Sequence, residues 1–459
     1  MKRFWLVTLS LGLVLAFSAQ AFAVDVKFSG SFYAAGMYLD KITLRDNGSA
    51  TAPGGYDASA STSTAFYYQR LRVGTDFIVS PGLKLVTRFD AMERIWGGNR
   101  SSAGTALDSQ SAGTTAENQN IAFDHAYIQY DSPIGTFKAG YMDDLVWGTV
   151  FCDSAQPKGV IGWNKVFGPW NFIAKAIKSN DNSYSYNSDA TTTDLDNDKY
   201  AAAVLYTWTS GQAGLLGGMY RDARSKNGTP DYNAQYYALL PYARAQIGPV
   251  KVQAEVVYAW GTWMAYESGV AADVKMENLG VFVDAVADFG MFYAGGTFAY
   301  ISGDDPGTTD KVEGTPVVSG GMDWNPCLIM FNKDRTYWAG SLGGFDATTN
   351  ASTMSNAWFF QGKIGGRPLA ALDINASVSF ANADKKPAWP AGVFTAGTGV
   401  LNNAYGWEFD VTGTYKLTNN LSYMLGAGYL WTGDYYQGIS QEQGLNNNYM
   451  LINKLTLTF

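Results

Sequence analysis

The chain has 459 residues, 15% of them aromatic and 51 of them Gly, and sets 32 Lys+Arg against 40 Asp+Glu for a formal charge of −8. So acidic a balance excludes nucleic acid as a partner, because phosphates need a positive footprint. Even composition without a Pro/Ser-rich linker points to one large unit rather than two or three soluble domains. Helical membrane spans, which need about 20 consecutive apolar residues, are also excluded from the mature chain. The nearest stretch, 200–220, is interrupted by Thr209-Ser210-Gly211-Gln212.

At the N-terminus, Met1-Lys2-Arg3, an apolar stretch from Phe4 to Phe17 and Ala21-Phe22-Ala23 read as a cleavable export signal over residues 1–23. Residues 24–459 are then one mature domain. Loss of Lys2 and Arg3 takes 32 basic residues to 30 against 40 acidic ones, a charge of −10 that suits a mildly cation-favouring lumen.

Periodicity is clearest in the second and third predicted strands. Leu71, Val73, Phe77, Val79, Leu83, Leu85, Phe89 and Ala91 are odd-numbered and apolar, whereas Arg70, Arg72, Asp76, Lys84, Arg88, Asp90 and Arg94 are even-numbered and charged. A hairpin folded about Pro81 pairs even with even, setting Arg72 near Asp90 and Arg88 near Gly74. Facing lipid, each arginine would cost about 2 to 4 kcal/mol at mid-depth. The basic residues Arg70, Arg72, Lys84, Arg88 and Arg94 are therefore predicted to line a wet lumen.

Further along, tight turns at Ser80-Pro81-Gly82, Asp131-Ser132-Pro133, Gly168-Pro169, Ser210-Gly211-Gln212, Gly248-Pro249, Asp288-Phe289-Gly290, Gly365 to Pro368 and Thr418-Asn419-Asn420 alternate with long polar connections. The long ones run over 41–63, 97–117, 143–159, 179–198, 222–233, 262–275, 303–354, 382–403 and 433–446. Val250, Val252, Ala254, Val256 and Tyr258 alternate with Lys251, Gln253 and Glu255; Phe409, Val411, Tyr415 and Leu417 alternate with Glu408, Asp410, Thr414 and Lys416. The last strand sets Tyr449, Leu451, Leu455, Leu457 and Phe459 against Lys454, Thr456 and Thr458. In lipid such strands must close on one another to satisfy every backbone group. The expected fold is all-β: a transmembrane antiparallel β-barrel of 16 to 18 strands, best counted as 18, with short periplasmic turns and long extracellular loops. Sixteen applies if the segment 160–167 is loop. Export through the periplasm to a Gram-negative outer membrane follows.

Two stretches resemble the trimeric general-diffusion porins of Gram-negative outer membranes. Tyr68-Gln69-Arg70-Leu71-Arg72-Val73-Gly74, continuing through the turn into Gly82-Leu83-Lys84, is similar to that family's second hairpin, where a lumen arginine matches Arg70. Gly135-Thr136-Phe137-Lys138-Ala139-Gly140-Tyr141 is similar to the family's Gly-Ser/Thr-Phe-x-x-Gly segment, which leads into a third loop folded inward to narrow the pore. More narrowly, the whole chain resembles the homotrimeric porins of sulfate-reducing bacteria. The resemblance implies a homotrimer, an inward loop at about 143–159, and a terminal Phe459 read by the barrel-assembly machinery. It departs from the family where an acidic Pro-Glu-Phe-Gly-Gly-Asp segment is replaced by Phe151 to Gly159, leaving Asp143, Asp144 and Asp153 as the acids available to face the arginines.

Such an arrangement sets a transverse field across the narrowest point, which orients polar solutes and disfavours apolar ones; the plainer alternative pairs the arginines with Asp76 and Asp90 along the wall. Cys152 in the inward loop and Cys327 in the connection 303–354 pass through an oxidising compartment, which allows a disulfide between them, against the alternative of two unpaired buried thiols. Asp194, Asp196 and Asp198 resemble the start of a calcium loop but lack its sixth-position Gly and closing Glu, so calcium is a weak candidate and no other cofactor is expected. His125 is the only histidine, and Asp124, as its strand neighbour, is expected on the opposite face, which argues against catalysis. The expected function is a passive porin for ions and small hydrophilic solutes, not an enzyme. A substrate-selective, sugar-type channel is the alternative, and a plugged barrel enzyme or adhesin the third.

Overall fold

Alternating apolar and polar residues with turns after every second strand give a meander whose ends meet. The computed structural model describes residues 24–46, 62–97, 121–151, 153–182, 195–226, 231–267, 269, 271–314, 318–345, 348–350, 353–386, 402–438 and 444–459; the export signal read over 1–23 lies outside them. The wall is a closed antiparallel barrel of 18 strands. The first nine are β1 Asp25–Leu39, β2 Thr64–Ser80, β3 Leu83–Ile95, β4 Ile121–Ser132, β5 Gly135–Asp143, β6 Pro157–Phe167, β7 Trp170–Asn180, β8 Asn197–Trp208 and β9 Gly211–Asp222. The rest are β10 Tyr232–Ile247, β11 Val250–Tyr266, β12 Val274–Asp288, β13 Phe292–Ile301, β14 Ala357–Leu369, β15 Leu372–Ala383, β16 Ala404–Lys416, β17 Leu421–Thr432 and β18 Asn448–Thr458. The segment 160–167 is thus a strand, starting at Pro157 inside the connection expected over 143–159. Each strand pairs with its sequence neighbours, and β1 closes the ring by pairing with both β2 and β18. A two-residue strand, Lys311–Val312, adds parallel to β12.

Tight turns carry glycines in the left-handed region, Gly82 at φ 80° and Gly248 at φ 57°, where a Cβ would be strained. Outside, the wall exposes large apolar residues such as Phe28, Ile128, Ile161, Ile364, Leu425 and Leu451, a surface that only lipid or another protein covers. Exposed rings cluster at both rims. Phe167, Trp170, Phe289 and Phe292 lie by the turns, and Tyr67, Trp96, Trp407 and Trp431 lie by the loops, as interfacial girdles require.

Two departures from strict alternation alter the lumen. Met92 adopts φ 53°, and the register shifts there, from Leu71↔Ala91 to Gln69↔Arg94. Two residues of β3 oppose one of β2, a bulge that inverts the parity beyond it. A second bulge, at Asp124, lies between Arg88↔His125 and Phe89↔Phe123.

The connection 303–354 is not an outward polar loop. Its segment 318–345 enters the barrel with the helix α1, Lys333–Ala339, whose N-cap Asn332 accepts the Arg335 N–H. Ile329, Met330, Phe331 and Trp338 pack there with the lumen-facing Tyr33, Tyr68 and Phe359.

Candidate functional site

On the β2–β3 hairpin, Arg70, Arg72, Lys84 and Arg88 each meet a carboxylate. Arg72 forks onto Asp90, Nε to Oδ1 and Nη2 to Oδ2 at 2.7 Å each, the bidentate geometry that makes such pairs strong. Arg70 reaches Glu93 at 3.3 Å and lies over the Tyr33 ring at 5.2 Å; Lys84 pairs with Asp76 at 2.6 Å. Arg88 joins two carboxylates, Asp124 and Asp143, at 3.2 Å each.

Arg94 departs from the expectation. Beyond the bulge at Met92 it falls opposite Gln69, on the outer face that also carries Tyr67 and Trp96, while odd-numbered Glu93 turns in toward Arg70. The opposite-face expectation for Asp124 fails for the same kind of reason. As the bulged residue it approaches Arg88 and Arg72, at 3.2 and 3.6 Å, while His125 Nε2 lies 3.1 Å from Asp143 Oδ1.

Of the three loop acids, the structure brings only Asp143 to the arginines. Asp144 pairs with Lys199 at 2.8 Å and closes the root of the loop, its Oδ1 accepting the N–H groups of Leu145 and Gln156. Asp153 accepts the Ala155 N–H at 3.2 Å, and burial holds its carboxyl above the usual range.

Residues 144–151 and 153–156 run inward against the barrel wall. Trp147 Nε1 donates to the Leu240 carbonyl at 2.8 Å. Thr149 donates through its N–H and its hydroxyl to Glu255 on β11, at 2.7 and 2.6 Å. Phe151 is fully buried, stacked on Phe282 at 4.9 Å and edge-on to Trp324 at 5.0 Å. Trp324 belongs to the second inward segment, and the two meet backbone to backbone, Gly321 N–H on the Phe151 carbonyl and Met322 N–H on that of Asp153.

Opposite them the second segment is fastened to the wall by carboxylates. Ile329 and Met330 donate their N–H groups to Glu408 at 2.6 and 2.7 Å, and Leu328 donates to Asp410 at 3.2 Å. Trp338 packs on Tyr68 with ring centroids 4.5 Å apart, and Asp334 on α1 faces Lys454 at 3.7 Å. Beside this segment is a cavity of about 290 Å³ lined by Asn325, Asp334, Lys363, Asn375, Asp410 and Lys454.

The sequence reading missed this segment. Its signal is the apolar run from Cys327 to Phe331 in an otherwise polar connection, between Asn325-Pro326 and Asn332. Cys327 is a free, buried thiol that burial pushes well above its usual pKa; Cys152, its expected disulfide partner, lies outside the described residues. Asp194 also lies outside them. Asp196 and Asp198 both face the Lys178 ammonium at 2.7 Å, and Asp198 also faces Arg221 at 3.8 Å.

No family model matches the chain, and no curated protein does. Solved structures share its fold. A BenF-like porin from Pseudomonas fluorescens Pf-5 aligns with TM-score 0.51 and 12% identity over 94% of this chain and 99% of its own. Pseudomonas aeruginosa OccK9 (OpdG) gives 0.51 and 13% over 95% and 99%. Pseudomonas aeruginosa OccK2 (OpdF), in complex with glucuronate, gives 0.50 and 12% over 95% and 97%. The chain therefore has the fold of outer-membrane porins.

Proposed function

We propose that the chain is a water-filled outer-membrane channel that selects among small hydrophilic solutes, a selective reading rather than a general-diffusion one. The observation that carries it is the meeting of two inward segments, 144–156 and 318–345, which narrow the lumen from two sides. Beside the second segment the cavity is lined by charges of both signs, Asp334 and Asp410 with Lys363 and Lys454. A solute passing there exchanges water for several charged side chains, the condition for weak, saturable binding in a pore. A small sugar acid, of the kind present with one structural neighbour, offers a carboxylate to the lysines and hydroxyls to the acids. In this reading the chain works as the homotrimer that the sequence resemblance implies.

Planar-bilayer recording of the purified chain tests all of this. Stepwise conductance in triplets and a current that glucuronate blocks saturably are the expected outcomes. A current insensitive to glucuronate and to neutral sugars sinks selectivity, single steps sink the trimer, and no conductance sinks the channel.

A further inference from the structure

Away from the arginine wall, three ligand-type side chains converge in buried positions beside the cavity. Glu408 and Asp410 are two residues apart on β16 and so project to the same side, while Cys327 reaches them from the inward segment. One donor atom from each lies within 4.8 Å of the other two, and the residues are 0%, 5% and 3% exposed. Backbone N–H groups satisfy both oxygens of Glu408 and one of Asp410. The other, Asp410 Oδ1, is buried without a hydrogen-bond partner, which is costly for a carboxylate.

The wall leaves space for that oxygen. Asp410 pairs across the sheet with Gly428, where a Cβ would fall 2.5 Å from Asp410 Oδ1 and 3.5 Å from Glu408 Oε1. Cys327 and Asp410 also line the cavity of about 290 Å³, which gives an ion a way in.

We infer that Cys327, Glu408 and Asp410 form a site for a thiophilic divalent cation of the zinc class, clamping the inward segment to the barrel wall. One thiolate and two carboxylate oxygens suit zinc, with water from the cavity as the fourth ligand. Hard cations such as calcium prefer all-oxygen sets. The divalent ion offsets two of the three negative charges that the carboxylates and the thiolate bring together, and because its ligands come from β16 and from the inward segment, it ties that segment to the wall.

The test uses the full-length barrel carrying Cys152→Ser, stripped with chelator and titrated with cadmium while the thiolate-to-cadmium charge-transfer band is followed. One equivalent per chain is expected to saturate the band, and zinc to abolish it by competition. Asp410→Asn, which keeps the shape of the side chain, is expected to lose the band at one equivalent while remaining a heat-modifiable barrel. If Asp410→Asn does not assemble, Glu408→Gln carries the same expectation. No band in the Cys152→Ser barrel overturns the site, leaving two carboxylates that share a proton. An undiminished band in the assembled carboxylate variant also overturns it, since the thiol is then binding alone. So does a Cys152–Cys327 disulfide in the wild-type chain.

Discussion

Arg88 is the residue on which the lumen charge turns, because it alone on its hairpin joins a wall acid, Asp124, to the acid at the root of the inward loop, Asp143. These side chains are about a fifth exposed, and ion pairs in contact with water are worth about 1 kcal/mol or less. Removing the cation should therefore leave the fold intact and show itself in the field. Arg88→Gln is expected to raise cation selectivity, read as a shifted reversal potential under a potassium chloride gradient, and Asp143→Asn to lower it. Equal reversal potentials in both variants would remove this cluster from the conducting path. Parity alone found Arg70, Arg72, Lys84 and Arg88, since polar residues on a half-wet sheet must alternate. It misplaced Arg94 and Asp124 because a bulge costs one residue of register and nothing in Met92-Glu93 or Phe123-Asp124 marks it. Asp143 was one of three candidates, and only their contacts in the folded loop separate them, Asp144 at the loop root and Asp153 on the Ala155 N–H.

At the scale of the element, apolar anchors hold the first inward segment together with its bonds to wall carboxylates such as Glu255. Phe151 sits between Phe282 and Trp324, so it fastens the first inward segment to β12 and to the second segment together. Truncating a buried Phe costs about 3 to 5 kcal/mol, and the other fastenings of the loop, Trp147, the bonds to Glu255, the backbone bonds from Gly321 and Met322 and the Asp144–Lys199 pair, do not replace that apolar contact. Phe151→Ala is expected to free the loop inside an intact barrel, raising single-channel conductance and open-channel noise. Unchanged conductance would show that the loop is held without this ring. The strands were legible in the sequence because lipid on one side and water on the other impose a period of two. The inward segments impose no such period. Segment 318–345 has α1, bounded by Asn332 and Gly340, and a five-residue apolar run, signals that a long polar connection hides because a buried loop and an exposed one share most of their composition.

For the whole molecule, closure decides stability, and closure happens where the last strand meets the first. Gly30 and Phe459 exchange two backbone hydrogen bonds, at 2.8 and 3.0 Å, and the Phe459 ring covers Gly30, where a Cβ would lie 2.7 Å from it. An unpaired backbone group at such a seam costs about 1 to 3 kcal/mol, more where lipid excludes water. Two variants separate the ring from the seam. Deleting Phe459 removes both hydrogen bonds and the ring, whereas Phe459→Ala keeps the backbone and loses only the ring. If seam pairing governs assembly, the fraction of heat-modifiable barrel in outer membranes falls sharply for the deletion and little for Phe459→Ala. If the terminal ring is what the assembly machinery reads, as the sequence resemblance implies, both variants fall together while the purified Phe459→Ala barrel keeps the unfolding temperature of the wild type. That second pattern is the expected one, because the ring is 52% exposed and so contributes little packing that its loss would take from the finished barrel.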